Sequence, residues 1–388
     1  MTEHTMHRII VVGGGYAGTL AANHLRKRTD VVVTLINPRP MFVDRVRLHQ
    51  FVAGTGEATV AYDTLLGPGV ELVVDSVTRI ETATRTVRLA SGGILDYDHL
   101  IYAVGSTAAV PTVPGCAEFA CTVAEFESAQ RLRTRLWELP LDAPITVVGG
   151  GPTGVETAAE LAERGRDVTL VCGGTLLPAM NPPGRRYVAT WLARHGVTVL
   201  ESERVCEVRS AAVVLTGGET RPSALTVWAA GFGVPRLAAA SGLRTDDLGR
   251  LLTDETLTSV DDDRIVATGD AAAPSGAPLR MCSQAAGALG AQAAETVLGH
   301  IAGTEPAAID LALIGTCVSL GRRAGIRQLA RKDDTAVNFY LGGRLGARIK
   351  EMTATLAVGK IRREARKPGA MAWVKGGPRP TRPASVTA

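Results

Sequence analysis

The sequence predicts an α/β protein in which one strand–helix–strand unit occurs twice. Three observations predict it. The apolar run Arg8–Val12 leads into the glycine turn Gly13–Gly18, a helix over Thr19–Arg28 and the β-branched run Val31–Ile36. The same order returns about 136 residues later as Ile145–Val148, the turn Gly149–Gly154, a helix through Arg164 and the strand Val168–Val171. Two further apolar strands, His99–Val104 and Leu225–Ala230, each run into a single glycine, Gly105 and Gly231. The repetition is an internal duplication of one fold unit.

The remaining elements fall between and after these units. Val70–Val74 and Thr86–Leu89 read as strands, with Ser91-Gly92-Gly93 as a hairpin turn. The two prolines of Ala109–Pro114 mark a linker. Arg264–Thr268 is a strand that ends at Gly269-Asp270. An Ala- and Gly-rich helix follows from Ser283 to about Val297, a strand pair begins near Cys317–Leu320, and Gly343 to about Arg366 reads as helix. The Pro- and Arg-rich end, 376–388, reads as disordered.

Composition narrows the class. A chain of 388 residues has room for two or three domains of roughly 100–200 residues each. No window approaches the roughly 18–20 unbroken apolar residues of a membrane span, and the start lacks a signal-peptide layout. A cytoplasmic protein is expected. None of the six cysteines forms a CxxC pair, so neither zinc nor a redox dithiol is indicated. No His/Cys/Asp cluster has ligand spacing, and no metal is expected. The net charge of +4 is uneven: from Arg344 onward there are eleven basic and two acidic residues. Such a tail is either a solvated end or a surface for an anionic partner. No nucleic-acid module or aromatic platform accompanies it, so nucleic acid is not expected.

The glycine turns carry the chemistry. Gly13, Gly15 and Gly18, with Tyr16 and Ala17 between them, have the spacing that lets a backbone approach a pyrophosphate at a helix N-terminus. Gly149, Gly151 and Gly154, with Pro152 and Thr153, repeat it. At the end of the second strand, where a carboxylate would hold ribose hydroxyls, stands Asn37. An amide can bond a diol, without charge assistance. The second unit has Cys172-Gly173-Gly174 at that place. This removes the usual argument for NAD over NADP. Arg185-Arg186 is the nearest candidate for a 2′-phosphate, against the plainer reading of a surface pair at a helix start.

In order, the two glycine turns, Ala103–Gly105, Ala229–Gly231 and Thr268-Gly269-Asp270 before an alanine-rich helix resemble the pyridine nucleotide-disulfide oxidoreductase superfamily over residues 8–300. The resemblance implies two Rossmann-like dinucleotide-binding domains, the FAD domain interrupted by the NAD(P)H domain, plus a small C-terminal α+β region. The boundaries it implies are 1–112 and 236–304 for FAD, 113–235 for NAD(P)H, and 305–375 for the C-terminal region. It implies that Asp270 bonds the FAD ribityl chain and that Gly105 and Gly231 lie where the chain crosses between domains. It places the helix after Asp270 with its N-terminus toward the flavin.

The disulfide branches of that superfamily carry a redox cysteine pair, and 42–56 contains no cysteine. What remains is most similar to the type II NADH dehydrogenase-like branch, with its quinone reductases. Arg45–Gln50 resembles the segment that approaches the flavin there, which includes His49 as a proton source. Glu156 matches a Glu beside nicotinamide and flavin. Ser283-Gln284 stands where that branch has Ala-Gln, while its second Gln is Ala288 here. The expected function is hydride transfer from NADH or NADPH through FAD to a quinone-type acceptor. The alternatives are an NAD(P)H reductase of a protein such as ferredoxin or rubredoxin, and a low-turnover redox sensor that binds FAD and NAD(H).

The C-terminal helix completes the reading. Leu345, Ile349, Met352, Leu356 and Ile361 are assigned to one face, flanked by Arg348, Lys350, Lys360, Arg362, Arg363 and Arg366. A basic amphipathic helix can lie against an anionic membrane, here the inner face. It can equally cover the protein's own core or a homodimer partner.

Overall fold

The structure is a computed structural model that describes residues 6–109, 111–377 and 379. The chain opens with β1 (His7–Val12), α1 (Tyr16–Leu25) and β2 (Val31–Asn37), then α2 (Leu48–Ala53), β3 (Val70–Val74) and β4 (His99–Tyr102). A short strand β5 (Thr107–Ala108) leads to β6 (Ala120–Thr122), α3 (Phe126–Glu138), β7 (Ile145–Val148), α4 (Pro152–Glu163) and β8 (Val168–Val171). Next come α5 (Pro182–Arg194), β9 (Thr198–Leu200), β10 (Leu225–Trp228) and β11 (Phe232–Gly233). The chain returns through β12 (Ile265–Ala267) and α6 (Ser283–Ala302), and ends in β13 (Gly315–Leu320), β14 (Ala324–Ala330), β15 (Ala336–Gly342) and α7 (Gly343–Arg366).

Two five-stranded sheets carry the duplication. The first runs β12-β4-β1-β2-β3 and the second β6-β10-β7-β8-β9, all in parallel. Equivalent contacts recur in both: Gly13 N–H bonds Ile36 O and Gly149 N–H bonds Val171 O, each at 2.8 Å. Strands buried on both faces read as unbroken β-branched runs, and Ile145–Val148 is buried at every position. The units are joined by a two-stranded ribbon in which β5 pairs antiparallel with β11.

The alanine-rich composition of α6 has a packing reason. A Cβ on Gly290 would stand 2.3 Å from the Ala17 carbonyl oxygen, so α1 and α6 touch backbone to backbone. α1 begins at Tyr16, three residues before the expected Thr19. Its turn must open the helix immediately after Gly15 to present the first amides. α6 runs on to Ala302 and stops at Gly303 in the left-handed conformation.

The C-terminal region is an antiparallel sheet of three strands, β13-β14-β15, rather than a pair. α7 lies on it, with Gly346 against the Gly325 carbonyl. The single apolar face expected of α7 is divided. Leu345, Met352 and Leu356 are exposed, whereas Ala354, Val358, Ile361 and Ala365 are buried. At 100° per residue Ile361 lies well away from the line through Leu345 and Met352. Of the expected tail 376–388, Gly376 and Gly377 donate to Asp310 Oδ1 at 2.8 Å, and Arg379 pairs with Glu255. The rest of it lies outside the described residues.

Candidate active site

The first glycine turn is shaped for a pyrophosphate. Gly13 has φ +105°, and a Cβ there would stand 2.4 Å from Ala103 O. A Cβ on Gly18 would stand 1.8 Å from Gly13 O, which locks helix against strand. A Cβ on Gly15 would meet nothing within 4 Å. Gly15 caps α1 without a side-chain hydrogen bond. The first amides of α1, those of Tyr16, Ala17 and Gly18, thus face an open cradle at the positive end of a helix. These residues fit FAD.

Asn37 has a part that the sequence did not show. Its Oδ1 accepts from Gly14 N–H at 3.0 Å and its Nδ2 donates to Arg39 O at 2.8 Å. It holds the turn in shape, and one donor and one acceptor site remain for a ribose. Further along the groove, Asp270 Oδ2 accepts from Ser106 Oγ at 2.7 Å. Arg45 reaches the same place, with Nη1 on Ser106 O at 2.7 Å and Nε on Ala124 O at 3.1 Å. Gly231, with φ +79°, stands immediately before the ribbon strand β11, and Gly105, with φ +71°, two residues before β5. Ser283 and Gln284 form the first turn of α6.

The second turn repeats the cradle. Gly149 has φ +127°, a Cβ on Gly154 would stand 1.9 Å from Gly149 O, and Gly151 is open. Pro152 is the first residue of α4 and Thr153 the second, which suits a residue without an N–H. These residues fit a nicotinamide dinucleotide. Cys172 packs under the turn, with Sγ 3.1 Å from where a Cβ of Gly150 would be. Arg204 approaches this strand end, donating to Gly173 O at 3.3 Å.

Between the two cradles lies a buried charged cluster. Glu156, one turn into α4, accepts from the Ser319 backbone N–H at 2.9 Å and the Ser319 hydroxyl at 3.3 Å. Lys350 Nζ of α7 lies 2.7 Å from Glu156 Oε1. His49 Nε2 lies 3.2 Å from Ser319 Oγ, and its Nδ1 is 3.9 Å from Glu156 Oε2. Burial pushes the Glu156 carboxyl up, but Lys350 and the Ser319 hydrogen bonds outweigh it and hold it below the usual range. Burial takes His49 down to about 4, with Lys350, Arg322 and Arg47 acting the same way against Glu156. His49 is therefore uncharged at neutral pH, and the counter-ion of Glu156 is Lys350. Beside the pair opens a cavity of about 500 Å³, lined by Ser319, Arg322, Arg344, Arg348, Lys350 and Glu351 among others.

Tyr16 joins the cluster from the other side. Its hydroxyl donates to Asp44, which also pairs with Arg47 at 3.3 Å. Arg47 reaches Glu351 of α7 at 2.6 Å. The six cysteines are free thiols. Lys350, Ser319 and Ser106 were missed in the sequence. Lys350 read as one cation in a basic stripe, and only the docking of α7 on β13 and β14 carries it to Glu156.

The family described as pyridine nucleotide-disulphide oxidoreductase matches residues 7–292. The chain belongs to this family. It is an NAD(P)H oxidoreductase whose cofactors are FAD and NADH or NADPH. It is similar to an NADH dehydrogenase-like protein of Mycobacterium tuberculosis, 33% identical over 295 residues that cover 69% of this chain and 73% of that one. It is 27% identical to a type II NADH:quinone oxidoreductase of Staphylococcus haemolyticus over 91% of this chain and 96% of the other. Its fold is shared with the sulfide:quinone oxidoreductase of Aquifex aeolicus, at a TM-score of 0.79, 20% identity and 92% coverage of both chains. Among the described residues no helix is long and apolar enough to cross a membrane.

Proposed function

We propose that the chain passes reducing equivalents from NAD(P)H through FAD to a quinone, without a redox disulfide. The observation that carries this reading is the Glu156–Lys350 pair, buried between the two cradles and beside a third opening of about 500 Å³. The likeness to a type II NADH:quinone oxidoreductase supports the same acceptor class.

When bound, FAD supplies two-electron chemistry: it takes hydride from the nicotinamide and passes the electrons on. The chain's residues do the rest. The amides after Gly15 and Gly151 anchor the pyrophosphates, and Asp270 and Arg45 position the flavin end of the groove. The first turn of α6, with Ser283 and Gln284, directs a positive helix end toward it. Glu156 orients the nicotinamide end. Lys350 stands at the acceptor side and holds Glu156 charged between turnovers. His49, being neutral, fixes Ser319 rather than storing a proton. The exposed Leu345, Met352 and Leu356 between cations of α7 suit contact with an anionic membrane, where quinones dissolve.

Steady-state oxidation of NADH and of NADPH, with a short-chain quinone, ferredoxin and oxygen as acceptors, tests the reading. Quinone reduction far above the oxygen rate is expected. Turnover with ferredoxin and with no quinone would put the protein-acceptor reading in its place.

A further inference from the structure

Reduction of a quinone by NAD(P)H consumes a proton. Hydride delivers two electrons and one proton, and the quinol needs a second proton from solvent. Glu156 is buried, and the opening beside Lys350 is the one that a quinone would fill, so that proton needs a second way in.

α4 provides a line of carboxyl groups. Glu156, Glu160 and Glu163 stand at i, i+4 and i+7 and share one helix face. The last of them reaches the surface, where Glu163 Oε2 accepts from Arg322 N–H at 2.6 Å. Glu160, between the other two, is 1% exposed. Its Oε1 takes the Thr55 hydroxyl, and its buried Oε2 has no hydrogen-bond partner among the described residues. Nor does a cation stand within 4.0 Å of it among those residues.

A carboxylate in such a place is costly unless it is paired, and burial favours its neutral form. Every group that faces Glu160 bears on this. Burial raises it most, Glu163 and Glu156 of its own helix push the same way, and Thr55 beyond α2 and Arg322 of the β13–β14 turn oppose them. His49 of α2 is neutral, and Lys350 of α7 is committed to Glu156.

We propose that Glu160 is a proton relay between Glu163 at the surface and the Glu156–Lys350 pair. This rests on the quinone reading above. Glu160 passes its carboxyl proton toward Glu156 across water and takes another from solvent by way of Glu163. Each cycle leaves Glu160 as it began and delivers the one proton that the reaction consumes. Glu160 acts through Glu156 and touches no substrate.

Glu160→Gln tests the relay in the FAD-loaded enzyme, because the amide keeps the acceptor for Thr55 but holds no acid proton. In single turnover without oxygen, bleaching of the flavin by NADH is unchanged, since the hydride step draws no proton from solvent. Quinone reduction falls about a hundredfold, its solvent isotope effect grows, and Glu160→Asp restores most of the rate. The infrared band of a protonated carboxyl, present in the parent at pH 7, disappears in Glu160→Gln. An unchanged quinone rate and pH profile overturns the relay, as does an equal loss in both half-reactions. If the parent reduces no quinone, the quinone reading fails by itself. The infrared band then decides the relay, and its absence from the parent overturns it.

Discussion

Glu156 stays charged in a dry place because Lys350 stands against it. Removal of that partner gives burial the upper hand, so Lys350→Met moves the Glu156 carboxyl upward. Turnover with quinone is expected to fall about a hundredfold, and the acid limb of the pH–rate profile to move to higher pH. The sign for stability follows from the same shift. A carboxyl held low in the fold contributes stability that is present above its unfolded value and lost as pH falls through its folded value. Lys350→Met therefore costs about 3 kcal/mol at pH 7 and flattens the acid end of the unfolding curve; an unfolding series in urea against pH reads both. The glycines allow a sharper comparison. Gly18→Ala drives a Cβ into the Gly13 carbonyl at 1.8 Å, whereas Gly15→Ala meets no protein atom within 4 Å. The first is expected to lose about 3 kcal/mol and its flavin together. The second keeps the midpoint of the flavin-free parent and loses flavin, because the new methyl fills the phosphate cradle. The flavin-to-protein absorbance ratio shows the loss in each, and the thermal midpoints of the flavin-free proteins separate the two. These glycines were legible in the sequence because a turn is a local matter. Lys350 and Ser319 were not, because contacts between segments far apart in the chain leave no local pattern.

α7 is divided between core and surface, where the sequence offered a single apolar face for either a membrane or the protein's own core. Its C-terminal half is pinned to the first unit by His24, a buried residue of α1. His24 Nδ1 lies 2.7 Å from Glu364 of α7, and Nε2 lies 2.7 Å from Glu295 of α6. Burial works against the imidazolium, but the two carboxylates outweigh it and raise His24 above its usual value. A raised histidine contributes stability that is complete below its unfolded value near 6.5 and is lost as pH rises through its folded value. The parent should therefore lose stability from about pH 6.5 upward relative to His24→Gln. Parallel slopes for the two proteins in a pH series of denaturation midpoints would remove this account. The other half of α7 exposes Leu345, Met352 and Leu356 near Arg344 and Arg348. Co-sedimentation with anionic vesicles that weakens with salt is expected, and Leu345→Glu with Leu356→Glu should abolish it. Binding that survives both changes would place the contact elsewhere. The basic apolar pattern was legible in the sequence. The division of its apolar residues between core and surface was not, because that depends on which side β14 covers.

At the scale of the whole molecule the duplication explains both the order of the sheets and the place of the chemistry. Each unit sets its glycine turn at the same strand end. The ribbon of β5 and β11 brings the two turns into one molecule, and the strand-to-glycine pattern made this arrangement legible in the sequence. The three-stranded C-terminal sheet was less legible, since its strands are half-exposed and carry charged and polar residues in place of an unbroken apolar run. The first unit has a weakness that follows from the insertion. Its sheet takes β1 to β4 from one side of the second unit and β12 from the other. Its cofactor groove likewise joins Gly13–Gly18 to Asp270 and the first turn of α6. FAD bound there ties the two segments together and stabilises only the folded form. At a free concentration a thousandfold above its dissociation constant it contributes about 4 kcal/mol, roughly 10 °C in the midpoint of a domain of this size. The flavin-free protein is thus expected to show two calorimetric transitions, with the lower one belonging to the first unit. Added FAD should raise that transition, and NADH should act on the other. A flavin-free protein that melts in one transition at the holoenzyme's temperature would show that the two segments hold together without the cofactor.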